Sequence, residues 1–177
     1  MTDTDTTGAA GNGDGQAQTG PALQITAQYL KDLSFESPNA VQLMAMRQPP
    51  QVQVQVDVKA NPVEGGRQTE VVLHLRCDAK VDDLQAFIIE AEYAALVVIS
   101  AALPRERQAA ALMIEVPTMM FPFARAIIAE ASRDGGFPPL LIQPIDFVSM
   151  FRRQIAALRD RVSAGEETPA AAGPTEN

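Results

Sequence analysis

The run Q-V-Q-V-Q-V-D-V-K at Gln51–Lys59 is the feature that most restricts what this chain can fold into. Val52, Val54, Val56 and Val58 recur with a period of two, and the residues between them are polar. Side chains alternate across a strand but recur every 3.6 residues on a helix, so only a strand gathers these valines on one face. The segment is therefore a strand of a sheet with one face buried and the other wet.

The same period recurs on either side. After N-P-V-E-G-G-R (Asn61–Arg67), Val71, Leu73, Leu75 and Cys77 alternate with His74 and Arg76. Upstream, Leu23, Ile25, Ala27, Tyr29, Leu33 and Phe35 occupy odd positions and Gln24, Thr26, Gln28, Asp32, Ser34 and Glu36 even ones, which predicts a long first strand with one wet face. A fourth strand, from about Leu84 to Ala101, sets Ile89, Ala91, Tyr93, Ala95, Val97 and Ile99 against Ile88, Glu90 and Glu92. Short connections make the last three strands an antiparallel meander.

Beyond Pro104 the period becomes helical. Residues 105–115 are rich in Ala, Leu and Met, and Pro117 and Pro122 are expected to kink or restart the helix because each lacks an N–H. The pattern resumes over 123–134 and stops at Gly135-Gly136; F-P-P-L-L-I-Q-P (137–144) is extended and apolar. Asp146 then caps a last helix with Phe147, Phe151, Ile155, Leu158 and Val162 on one stripe and Arg152, Arg153, Arg159 and Arg161 opposite. Strands followed by two main helices define an α+β domain.

Residues 1–20 and 165–177 contain no Lys or Arg, little apolar surface and six acids, and are expected to be disordered tails flanking one domain over 21–164. The formal charge of −8 opposes general attraction to nucleic acid or anionic lipid. The start has neither a basic segment nor an apolar h-region, and no apolar stretch is long enough for direct membrane insertion, so a cytoplasmic location is expected. One His (His74) and one Cys (Cys77) cannot assemble a zinc site, and on adjacent strand parities they point to opposite faces, so they form no nucleophile pair. No metal or other cofactor is expected.

What remains is surface. Glu90 and Glu92 share a strand face, as do Asp32 and Glu36. They read as solvated carboxylates, as a docking patch for a basic partner, or, for Glu90 and Glu92 in an apolar cavity, as an enzyme's acid–base pair. The loop 37–50 carries Val41, Leu43, Met44 and Met46. With F-P-P-L-L-I-Q-P it forms either lids over the core or an adaptable apolar groove.

Y-L-K-D-L-S-F-E-S-P-N-A (29–40) and F-P-F-A-R-A-I-I-A-E-A-S-R-D-G-G-F-P-P-L-L-I-Q-P-I-D-F-V-S-M-F (121–151) resemble the SecB family of bacterial protein-export chaperones. The resemblance implies a homotetramer, a dimer of dimers, built on a four-stranded antiparallel sheet and two main helices. It implies a cytoplasmic, non-enzymatic chaperone that holds unfolded precursor proteins without ATP and passes them to the SecA ATPase. By motif, SecA docking falls on Asp32, Glu36, Ile88 and Glu90, and subunit association on Ile89, Ala91 and Tyr93. The resemblance places the client grooves at the crossover loop and the neighbouring final helix, and the apolar surface expected to bind clients is Leu43, Met44, Met46, Phe137, Leu140 and Leu141. A narrow-spectrum chaperone for secretion effectors or an antitoxin is the alternative within the same surface. Two departures stand out: Met44 and Gln48 where the family's loop often carries Phe and Trp, and Ala94-Ala95 where a Gly pair is common.

Overall fold

The computed structural model describes residues 22–44 and 48–163; the two expected tails and Met46 lie outside them. The elements run β1 (Leu23–Glu36), α1 (Ala40–Met44), β2 (Gln51–Pro62), β3 (Thr69–Val81) and β4 (Leu84–Ile99). They continue through one helical run, made of α2 (Arg105–Ala110), a π-helical turn (Ala111–Glu115) and α3 (Val116–Asp134), to α4 (Phe147–Ser163).

The sheet has the order β1-β4-β3-β2 with every pair antiparallel, so β2, β3 and β4 form the expected meander. β1 sits beside β4, and the 37–50 connection crosses from one edge of the sheet to the other. Val54, Val56 and Val58 pair with Cys77, Leu75 and Leu73, which puts all the β2 valines on the core face. β3 and β4 carry the core, with Val71, Leu73, Leu75, Cys77, Phe87, Ile89, Ala91, Ala95 and Val97 all buried. α3 lies over them through Val116, Met120, Ala124, Ile128 and Ser132, a repeat of four that keeps one stripe against the sheet. Cys77 is a buried core thiol whose pKa is pushed up to about 11 by burial, which suppresses thiolate chemistry.

The first strand departs from simple alternation. The pairing shifts by one residue between Ile25 and Ala27 and again between Leu30 and Asp32. Each shift is a β-bulge, and a single extra residue exchanges the faces of the residues after it. Ala27 and Tyr29 therefore pair with Leu96 and Ala94, on the open face, whereas Leu30 pairs with Tyr93, on the helix side. The second bulge restores the original parity, so Leu33 and Phe35 face inward and Asp32, Ser34 and Glu36 face outward. Tyr29 thus belongs to the polar surface rather than to the apolar face expected from parity.

The prolines likewise act more gently than expected. Helix continues from Arg105 to Asp134, and the π turn lies immediately before Pro117. In that turn the Val116 N–H reaches back to the Ala111 carbonyl, and α3 begins anew with Pro117 in its first turn, where a missing N–H is harmless. This run is long and apolar enough to cross a membrane by length and composition, yet it lies along the sheet. Met119 and Phe123, on its flank, are about half exposed.

α3 ends as its Gly pair predicts. Gly136 adopts φ +87°, its N–H bonds the Arg133 carbonyl at 3.0 Å, and the Phe137 N–H bonds the Ser132 carbonyl at 3.1 Å, a Schellman closure. Gly135 is required for a different reason, since a Cβ there would strike the Phe35 ring. Gly135→Ala should lower stability by about 1–3 kcal/mol, as overpacking does. Chemical denaturation measures this, and adding Phe35→Leu to Gly135→Ala should recover part of the loss.

Candidate functional site

Among the described residues, two surfaces gather most of the expected docking and client-binding side chains. The first is the sheet face opposite α3. Three cross-strand rows pass over it, Asp32–Glu92–His74–Asp57, Ser34–Glu90–Arg76–Gln55 and Glu36–Ile88–Asp78–Gln53. Asp32, Glu36, Ile88 and Glu90 thus stand on neighbouring strands of one open face. Asp32 and Glu36 are exposed, and Ile88 and Glu90 are half-buried. Glu92 and Asp78 complete the cluster. Glu90 and Glu92 lie on this open face, and Glu90 forms an ion pair with Arg76, directly opposite it on β3. Among the described residues, no group of three or more His, Cys, Asp and Glu side chains is placed to hold a metal ion.

Arg76 and Asp78 carry no signal of their role in the sequence. Strand parity puts both on the polar face, but only the β3–β4 register puts Arg76 opposite Glu90. Gln85 fixes the end of this face, its Nε2 donating at 3.0 Å to Oδ1 of Asp78 and to the Ala79 and Phe87 carbonyls, where the register shifts near the hairpin.

A further cluster holds β1 to β3 across β4. The Tyr29 hydroxyl donates to Oε1 of Glu70, and Lys31 Nζ lies 2.8 Å from Oε2. Both bonds favour the carboxylate, led by that from Lys31, and hold the Glu70 pKa below its ordinary value; the same Glu70 bond raises the Tyr29 pKa. The bulge that turns Tyr29 outward is what makes this cluster.

The second surface is an apolar groove of about 300 Å³ lined by Leu43, Met44, Gln48, Pro49, Pro50, Val81, Gly136, Phe137 and Pro138. It brings together Leu43, Met44 and Phe137 of the expected client-binding set. Leu43 is buried at its base, while Met44 is largely exposed. The crossover is organised by its own sequence: Ser37 Oγ donates to the Ala86 carbonyl (2.7 Å), Asn39 Nδ2 donates to the Gln85 carbonyl (3.0 Å), and the Asn39 carbonyl receives Leu43 N–H in α1. Five residues are too few for a helical period to be visible, so α1 is hidden in a stretch expected to lack structure.

Leu140 and Leu141 lie outside the lining. Leu140 N–H donates to the buried Ser132 Oγ at 2.8 Å, and that hydroxyl donates to the Ala129 carbonyl at 3.0 Å. Ser132 thereby ties the 137–144 segment to α3, and a lone Ser within a helix gives no sequence signal of such a role. Leu141 is 61% exposed and lies outside the groove-lining set. Of the expected association residues, Ile89 and Ala91 are buried within the chain, whereas Tyr93 is half-buried and stacks on the exposed Phe123 at a centroid distance of 6.2 Å.

This geometry coincides with extensive similarity to known proteins. Residues 16–158 match the family model described as preprotein translocase subunit SecB. The chain belongs to the SecB family. Protein-export protein SecB of Rhodospirillum centenum is 44% identical over 167 residues, covering 92% of this chain and 97% of that protein. The SecB proteins of Rhodospirillum rubrum and Mesorhizobium japonicum are 46% and 45% identical over 80% and 83% of this chain, and 88% and 87% of their own. A Mycobacterium tuberculosis SecB-like chaperone, solved with a peptide from an antitoxin, shares the fold at TM-score 0.58 and 13% identity, covering 70% of this chain and 91% of its own. SecB is a family of protein-export chaperones.

The Glu70 cluster gives a pH prediction. A carboxyl whose folded pKa is depressed contributes stability above its unfolded pKa, about 4.3, and loses it as pH falls through the folded value. Glu70→Gln should therefore destabilise the protein by about 1 kcal/mol near neutrality. The gap to wild type should close toward pH 3, as read by denaturant midpoints across pH.

Proposed function

We propose that this protein is an ATP-independent export chaperone that binds unfolded precursor proteins in its apolar groove and delivers them to SecA through its open carboxylate face. The observation that carries the reading is the convergence of Asp32, Glu36, Ile88 and Glu90 from two strands onto one uncovered surface. Asp32 and Glu36 are four residues apart with no bulge between them, about 13 Å along the strand. They flank a flat anionic patch suited to a cationic module such as the basic, zinc-binding tail of SecA implied by family membership. Charge of this kind governs association rate and weakens with salt.

The groove suits the second half of the task. Unfolded chains differ in sequence but share exposed apolar segments, so a receptor for them needs area and adaptability. Met44, flexible and exposed, meets that need beside Phe137 and the flanking prolines. Leu140 and Leu141 extend the proposed client surface beyond the groove itself, and Met46 is proposed as a further client-binding residue of the same loop. None of these steps requires a catalytic residue or a cofactor, and the proposed site of action is the cytoplasm.

We also propose that the chain works as a dimer of dimers. β1 is an edge strand whose segment 26–33 is exposed, with Leu30 and Leu33 each more than two-fifths uncovered. Met119 and Phe123 form an exposed apolar pair on the flank of α3. Unpaired strand edges and apolar patches of this kind are normally covered by another chain. Tyr93 acts at that interface through Phe123, and Ile89 and Ala91 act by setting the sheet against α3. The antitoxin-chaperone alternative receives less support, because relatives at 44–46% identity are export proteins whereas the antitoxin-bound neighbour shares 13%.

Titration with purified SecA tests the docking half: Asp32→Lys and Glu90→Lys should each weaken binding at least tenfold at low salt, with native mass and precursor binding nearly unchanged. Met44→Ser should raise the chaperone-to-client ratio needed to suppress aggregation of several unrelated precursors. Charge reversals that bind SecA normally would refute the docking role.

A further inference from the structure

The docking carboxylate Glu90 is already occupied. Arg76 sits opposite it in register on β3 and forms an ion pair with it, both side chains being about one-third exposed. A second carboxylate, Asp78, lies two residues along the same strand and face, with its Oδ2 4.0 Å from the Arg76 guanidinium. Asp78 is itself held in place by the amide of Gln85 at 3.0 Å. The guanidinium therefore has two neighbouring anionic resting places, Glu90 among the four expected docking positions and Asp78 beside them.

We propose that Arg76 is a built-in competitor for the docking site, a latch that covers Glu90 in the free chaperone and moves to Asp78 when a cationic partner surface takes Glu90. The inference deepens the docking role proposed above and rests on it. A carboxylate paired to an internal arginine presents less charge to weakly basic surfaces. A partner with an array of cations, able to engage Asp32, Glu36 and Glu92 together with Glu90, displaces the latch at small cost, because Arg76 exchanges one carboxylate for another. The arrangement thus favours a concentrated basic module over scattered lysines on clients and other proteins, a case of specificity set by a repulsive element. The neighbours of Arg76 on the open face do not replace it: His74 lies in the adjoining row between Glu92 and Asp57, Lys31 is engaged by Glu70, and Gln55 opposite is neutral.

Titration of SecA with Arg76→Gln, Asp78→Asn, the double variant and Glu90→Gln tests this, with native mass and precursor binding recorded for each. Arg76→Gln should bind SecA about two- to fivefold tighter at low ionic strength, the range expected for releasing a partly exposed ion pair, and the gain should narrow as salt rises. Asp78→Asn should bind more weakly than wild type, because the latch loses its second seat. The double variant should match Arg76→Gln, since without the guanidinium Asp78 has no latch to receive. If Glu90→Gln weakens binding while Arg76→Gln fails to tighten it, the docking role stands and the latch is overturned. If Glu90→Gln binds normally, the docking role fails and the latch with it. An additive double variant would also overturn the latch, leaving Asp78 as an independent contact.

Discussion

The contact on which both surfaces depend is the aromatic stack Phe35–Phe87–Phe137. Phe87 is fully buried in β4, with Phe35 of β1 at a centroid distance of 6.0 Å on one side and Phe137, just after α3, at 4.9 Å on the other. Gly135 admits the Phe35 ring where any side chain would strike it. The stack thus fixes β1, β4 and the end of α3 in one place. Facing inward, Phe35 obliges Ser34 and Glu36 to face outward, while Phe137 becomes a wall of the groove. Displacing one ring would disturb the carboxylate face and the groove at once, though they lie on opposite sides of the sheet.

Much of this is legible in the sequence, for definable reasons. The alternation of Val52 to Val58 and of Val71 to Cys77 comes from edge and inner strands without bulges until their ends, so parity alone assigns their faces. The Gly135-Gly136 stop and the Asp146 cap are local chemistry; Asp146 Oδ1 does receive the Ser149 N–H at 2.9 Å, and bonds from Ser149 hold its pKa below the usual carboxylate range. Asp32, Glu36 and Glu90 can be found because each lies in a stretch of uninterrupted parity. Tyr29 is misassigned by parity because a bulge is a relation between two strands, invisible in either one alone.

The remainder needs three dimensions. Parity says that Arg76 and Glu90 both face outward but not that they are opposite, since register depends on the turn at Asp82-Asp83 and the shift beside Ala79. Pro117 is legible as an obstacle, whereas the π turn that accommodates it depends on bonds from Val116 back to Ala111. Ser132 carries no signal because its partner is a main-chain N–H eight residues away. Such contacts are made by geometry and leave composition untouched.

The paired bulges of β1 carry an implication for how such a chain can change in length over evolutionary time. Thr26 and Lys31 are the supernumerary residues, each inserted opposite an uninterrupted β4. Loss of either one would convert a bulge to regular pairing without altering which residues on its flanks face outward. Between Asp32 and Glu36 no such slack exists, and one residue gained or lost there would exchange Leu33 and Phe35 with the carboxylates. The strand is divided into a portion where indels are absorbed and a portion whose reading frame is fixed, and the acidic residues lie in the second.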